Sequence, residues 1–230
     1  MCYNDKQEMI KMRNDICTIP VNEVFEVQDG CPICRMYKTV EDHILDYIMG
    51  AAMMEPDVRI ETNRQGFCAD HLDKMMARRG RLSLALMLES HVAEMEKVIK
   101  KPDKARAIEK DCFVCNKIEW GMSRMLDTLL RSYETDRDFR ALFDAQPQFC
   151  LKHYNMLSAL GDKKHLRRYH KDFQKSLYNI TSEYHKTLAA DLTKYCSMYD
   201  YRNSGENADW GNSRDAVERT VGYLTGRIIE

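Results

Sequence analysis

Six of the nine cysteines in this 230-residue sequence, and two of its seven histidines, fall into a pattern that occurs twice. Cys31-Pro-Ile-Cys34 is followed by Phe67-Cys68-Ala-Asp-His71, and Cys112-Phe-Val-Cys115 by Phe149-Cys150-Leu-Lys-His153. Between the second and third cysteines lie 33 residues in the first copy and 34 in the second. Three soft thiolates and an imidazole, arranged as two short-spaced pairs, are what a closed tetrahedral zinc site requires, because each pair can grip the metal from one turn or helix end. The spacing predicts two zinc ions, one held by Cys31, Cys34, Cys68 and His71 and the other by Cys112, Cys115, Cys150 and His153. With all four ligands drawn from protein, no position stays open for water or substrate, so the pattern points to structural metal rather than Lewis-acid catalysis.

Other chemistries compete for the same residues. An iron–sulfur cluster can use three cysteines and one histidine, and is the alternative cofactor. A redox dithiol at Cys31-Pro-Ile-Cys34 would want a βαβ setting, whereas the flanking sequence is helical. Covalent haem is excluded, since Arg35 and Asn116 stand where a CxxCH histidine would be needed. His43, His91, His165, His170 and His185 have no second ligand set around them. No Gly-rich phosphate loop, nucleophile elbow or HExxH occurs. Asp57/Arg59 and Asp138/Arg140 recur at equivalent places and read as ion pairs or helix caps that the scaffold needs twice. Arg78, Arg79 and Arg81, with Lys163, Lys164, Arg167 and Arg168, form the surface best suited to phosphate or nucleic acid. They also fall near helix C-termini, where cations are favoured, and nucleic acid is the less favoured partner beside protein.

The elements that must carry these ligands are helical. Hydrophobic residues make up 44% and charged residues 31%, with only 10 Gly and 5 Pro, a balance that suits an all-α protein. Apolar positions from Met36 to Met49 recur at steps of three and four. Pro56 is read as the end of that helix, with short helices at 57–62 and from Cys68, Gly80 as a stop, and a further helix from Leu82 to Ile99. Asn22 is expected to cap a brief helix after a break at Ile19-Pro20, and residues 1–18 to form a fraying one. The polar run from Lys100 to Arg106 marks the expected boundary between halves. The second half repeats the plan and adds a stripe from Leu166 to Met198, one long helix. Asn212 or Ser213 is expected to cap a last helix. The organisation read from the chain is therefore an extension (1–29), a helical zinc module (30–100), a second (111–199), and a C-terminal loop and helix packed on the core (200–230).

A net charge of −1 supplies no field toward nucleic acid or an acidic membrane. No window approaches a membrane span and the first residues lack a signal-peptide pattern, so a cytoplasmic location is expected. In that reducing compartment, cysteines are better explained by metal than by disulfides. Together these features describe a non-enzymatic, metal-stabilised binding or adaptor protein, with a thiol-based redox sensor or oxidoreductase as the alternative and a nucleic-acid-binding zinc protein as a further one.

The sequence also resembles an uncharacterised bacterial family, a domain of unknown function. The resemblance rests on Ile19-Pro-Val-Asn-Glu-Val-Phe-Glu, Cys31-Pro-Ile-Cys34, Gly66-Phe-Cys-Ala-Asp-His-Leu72, Leu84-Ala-Leu-Met-Leu88, Asp200-Tyr-Arg-Asn203 and Trp210-Gly-Asn-Ser-Arg-Asp-Ala216. It runs from about residue 18 to the end and implies no activity. Members of that family are sometimes labelled as ABC-transporter substrate-binding proteins, a label at odds with the absence of an α/β pattern.

Overall fold

The computed structural model describes residues 18–162, 166–200, 202 and 209–227, and these contain helices and no β-strand. The first helix, α1 (18–26), runs through Pro20 without a break, because a proline in the first turn removes an N–H that has no helical partner anyway. Asn22 therefore lies inside this helix rather than capping it, and its side-chain oxygen is buried with no partner among the described residues. The expected helix before residue 18 lies outside the described residues.

Then follow α2 (Pro32–Met49), a 3₁₀ turn (Ala51–Met54), α3 (Pro56–Gln65), α4 (Ala69–Ala77), α5 (Arg81–Val98), α6 (Pro102–Glu109) and α7 (Phe113–Thr135). The chain is completed by α8 (Arg137–Asp144), α9 (Leu151–Leu160), α10 (His170–Ser197) and α11 (Ala216–Thr225). Two further prolines are helix starters. Pro56 occupies the first turn of α3, and Pro102 opens α6 inside the stretch expected to be a linker. The long stripe is a 28-residue helix, though Leu166 is buried in the loop before it.

The chain forms two compact units, one comprising residues 1–36 with 125–230 and the other Tyr37–Arg124. These units do not coincide with the sequence halves 30–100 and 111–199. Their boundaries fall inside α2 and α7, so each repeat contributes to both.

The core of the first unit is aromatic. Phe143 is its hub, with ring centroids of Phe25, Tyr133, Phe149 and Phe173 at 5.8, 5.1, 5.0 and 5.1 Å. Tyr133 meets Phe173 edge-on at 4.9 Å, a favoured geometry that puts the positive ring edge against a negative face. Gly161 exists to admit this cluster, since a Cβ there would lie 2.4 Å from the Phe173 ring. The second unit is built instead from aliphatic and methionine side chains, among them Leu45, Ile48, Met75, Leu84, Met87, Val114 and Ile118, each at most 4% exposed. Within it, α2 and α7 approach closely where Gly121 faces Val40.

The C-terminal helix α11 packs on α9 and α10. Its N-cap is Asp215, not Asn212 or Ser213. Those two serve otherwise: Ser213, fully buried, donates its hydroxyl to the Trp210 carbonyl at 2.7 Å, and Asn212 donates to Asp191 at 3.0 Å. Trp210 stands edge-on to Tyr195 and Tyr199. Arg219 ties the segment down by donating to Asp191 and Asp215, both at 2.9 Å, and to the Asn212 carbonyl. Arg202 pairs locally with Asp200, and Asp209 accepts from the Gly211 amide.

Candidate metal centres

All four ligand pairs share one local construction. Cys68 and Cys150 are the N-caps of α4 and α9, in extended conformation, with His71 and His153 one turn on. Cys31 and Cys112 precede α2 and α7 and accept the first helical hydrogen bonds, from the amides of Arg35 and Asn116, with Cys34 and Cys115 in the first turn. An i, i+3 pair at a helix start projects both side chains to one side, among backbone N–H groups that favour thiolate over thiol.

The pairs converge two by two, but not as the sequence spacing predicts. In the first unit Cys31 and Cys34 meet Cys150 and His153, and in the second Cys68 and His71 meet Cys112 and Cys115. Each centre thus joins the CxxC of one repeat to the CxxH of the other, and within each the four ligand atoms lie within 4.8 Å of one another. The assignment by repeat is corrected on geometric grounds. His71 is held by Glu41 at 3.1 Å, and Glu41 lies seven residues, or about 10 Å of helical rise, beyond Cys34 along α2. The first CxxH is thus held by a residue of the second unit, whereas its own CxxC belongs to the first. Beside it instead comes the second CxxC, as the Phe113 amide donates to the Gly66 carbonyl at 3.0 Å.

In the first centre, His153 Nδ1 lies 3.5, 3.3 and 3.1 Å from the sulfurs of Cys31, Cys34 and Cys150, and Cys34 and Cys150 are 3.7 Å apart. In the second, His71 Nδ1 is 3.1 Å from Cys68 and 3.4 Å from both Cys112 and Cys115, and Cys68 and Cys115 are 3.9 Å apart. Metal–sulfur and metal–nitrogen bonds of about 2.3 and 2.0 Å in a tetrahedron separate the ligand atoms by about 3.5–3.8 Å. Both clusters therefore have room for one ion at the centre, and both could hold a metal ion. The first is enclosed, its four residues 8%, 8%, 2% and 4% exposed. The second opens to solvent, with Cys68 half-buried and Cys115 exposed.

The electrostatics show what a cation would relieve. Hydrogen bonds with Cys150 and Cys31, then burial, drive the Cys34 thiol far upward, while the same network of hydrogen bonds drives Cys150 far down. In the second centre burial pushes Cys115 up to about 12; burial also pushes Cys112 up, but hydrogen bonds from His71 and from the Cys115 and Cys68 backbone together outweigh it and bring Cys112 down to about 6. Burial works against the His153 imidazolium, but hydrogen bonds to Cys150 and Cys31 raise it to about 9. Such opposed shifts within one contact shell mean that the ligands share protons they cannot all release. A bound metal ion would take the place of those protons.

The remaining singled-out residues are not drawn into either centre. His91 hydrogen-bonds the Asn63 carbonyl, His185 packs at a tilt against the Tyr223 ring, His43 is exposed, His170 has a buried Nδ1 without partner among the described residues, and His165 lies outside them. Asp57/Arg59 and Asp138/Arg140 are not ion pairs. Arg59 donates to the Leu86 carbonyl at 3.0 Å and Arg140 to the Tyr133 carbonyl at 2.7 Å, so the repeated arginine supports backbone. Arg78 is occupied by Asp42 and Asp46, Arg79, Arg81, Arg167 and Arg168 are exposed, and Lys163 and Lys164 lie outside the described residues. Sequence reasoning missed Glu41 and Lys74. Their signal is that the aligned residues of the second repeat are Met122 and Met156, so a charged pair occurs in one copy only.

Fold and site together define an all-helical protein with two three-cysteine, one-histidine clusters of metal-ligating geometry. The model of a family of unknown function, DUF6062, matches twice, over residues 12–107 and 97–230, and the chain belongs to that family. The double match agrees with the duplication. No curated protein and no solved structure matches the chain.

Proposed function

We propose that this is a non-enzymatic, cytoplasmic binding or adaptor protein whose two units are each stabilised by a structural zinc ion. One ion is held by Cys31, Cys34, Cys150 and His153, the other by Cys68, His71, Cys112 and Cys115. The observation carrying this reading is that three sulfurs and one Nδ1 converge in each cluster at tetrahedral spacing, with no ligand position left for substrate. Iron–sulfur is the competing cofactor. Elemental analysis of protein purified without added metal tests the reading: about two zinc per chain is expected, and iron with inorganic sulfide overturns it.

A protein partner is favoured by exposed apolar side chains at helical spacing on α11, Val217, Val221 and Leu224. Nucleic acid is disfavoured by the net charge of −1 and by the engagement of Arg78 with two aspartates. The cytoplasmic assignment is supported by the six cluster cysteines, all free thiols. Among the described residues no helix is long and apolar enough to cross a membrane. A thiol-redox role has one observation in its favour, the exposed Cys115 with its sulfur 3.9 Å from that of Cys68. Loss of one zinc with formation of one disulfide under mild peroxide would support it, and two ions retained would exclude it.

A further inference from the structure

We propose that Glu41 is a positioning residue for the second centre: it holds the His71 ring with Nδ1 toward the three sulfurs and so makes the two centres unequal in metal affinity. The inference rests on the reading that both clusters bind zinc. Glu41 projects from α2 with its side chain only 12% exposed, and its Oε1 lies 3.1 Å from His71 Nε2. A carboxylate can only accept, so Nε2 must carry the ring hydrogen and Nδ1 keeps the lone pair that a metal needs. Glu41 is itself fixed. Lys74, one turn after His71 on α4, donates to both of its oxygens, at 2.7 and 2.6 Å.

The first centre has no counterpart. At the aligned positions Met122 and Met156 offer no acceptor, and His153 Nε2 has no protein hydrogen-bond partner among the described residues. Two ligand sets identical in residue type therefore differ in what orients the imidazole. Carboxylate partners of this kind typically change metal affinity by about 10- to 100-fold, through ring orientation, tautomer and ligand basicity. Burial acts on the other centre, which is closed to solvent. The second is thus the more accessible of the two, and Glu41 is what keeps its histidine ready to bind.

The test uses the full chain loaded with two zinc ions and titrated with a chromophoric chelator. Glu41→Gln keeps the volume and removes the charge. It is expected to weaken one ion about 10-fold and leave the other unchanged, while Lys74→Met, which removes only the second half of the pair, shifts neither by more than about threefold. Long-range ¹⁵N–¹H spectra of the histidines give a second readout: His71 in the wild type should show hydrogen on Nε2, and that signal should broaden or change tautomer in metal-free Glu41→Gln. Should that variant fail to fold, Glu41→Asp, which keeps the charge and shortens the reach, serves in its place with the same expected selective weakening. Equal release of both ions at wild-type chelator concentrations overturns the proposal. If the wild type carries no zinc, it is the zinc reading that fails, and this shows before any variant is compared.

Discussion

Cys34 and Cys150 lie 116 positions apart in the chain and bring their sulfurs to 3.7 Å. Each centre joins the CxxC of one repeat to the CxxH of the other, and that crossing has a stoichiometric signature. The double variant Cys31→Ser/Cys150→Ser damages one centre and should retain one ion. Cys31→Ser/Cys68→Ser damages both and should retain none. Native mass spectrometry distinguishes the two, and the opposite pattern would restore assignment by repeat.

Gly161→Ala should be costly although its backbone, at φ −77°, suits any residue. The added methyl would stand 2.4 Å from Phe173, whose ring is fully buried against Tyr133 and Phe143 and has nowhere to move. Overpacking of this kind costs about 1–3 kcal/mol. Urea denaturation checks it, and an unchanged midpoint would show the ring free to shift.

Phe143→Ala removes the hub of the aromatic cluster and should cost about 3–5 kcal/mol, with Phe143→Leu costing less. Because Phe149 touches that hub and directly precedes Cys150, the alanine variant should also speed metal loss from the first centre. Chelator kinetics on the variant provide the check: a rate from the first centre unchanged from wild type would separate the cluster from the site.

Arg219→Met should loosen the C-terminal segment, since one guanidinium holds Asp191, Asp215 and the Asn212 carbonyl. Hydrogen bonds to charged groups contribute about 1.5–3 kcal/mol where they are sheltered, and this arginine is about one-fifth exposed, so about 1–2 kcal/mol is expected. Hydrogen exchange should show the α11 amides losing protection while those of α3 and α5 do not.

Gly226 closes that segment over the first centre. Its φ of 72° favours glycine, its carbonyl accepts from the Cys34 sulfur at 3.4 Å, and a Cβ would come 3.3 Å from the sulfur of Cys150. In metal-loaded protein, Gly226→Val should therefore hasten metal release from Cys31, Cys34, Cys150 and His153 alone, measurable by chelator kinetics.

The make-up of the two clusters, three cysteines and one histidine each, was legible because residue type and i, i+3 spacing at helix starts are local properties. Which pairs meet was not, because it depends on contacts between residues far apart in the chain, such as His71 with Glu41 and the Phe113 amide with the Gly66 carbonyl, that no local spacing encodes. Proline misled twice: Ile19-Pro20 reads as a break and Pro56 as a helix end, whereas both prolines lie in the first turn of a helix, and only the flanking turns decide whether such a residue ends one helix or begins the next. Arg59 and Arg140 were recognisable as scaffold residues from their repetition. Their acceptors, two backbone carbonyls, carry no side-chain signature that a sequence could display. Phe143 reads as one apolar position among many, and its role appears only where four rings converge.

The placement of every ligand pair at a helix start also settles a question of charge. A divalent ion among three thiolates and a neutral imidazole leaves one surplus negative charge, which in the first centre would lie out of reach of water. No lysine or arginine side chain hydrogen-bonds to either cluster among the described residues. Each centre does receive two helix N-termini, each equivalent to roughly half a positive charge. Peptide dipoles alone thus bring each centre close to neutrality, a counterion woven into the main chain that substitution of surface residues cannot remove.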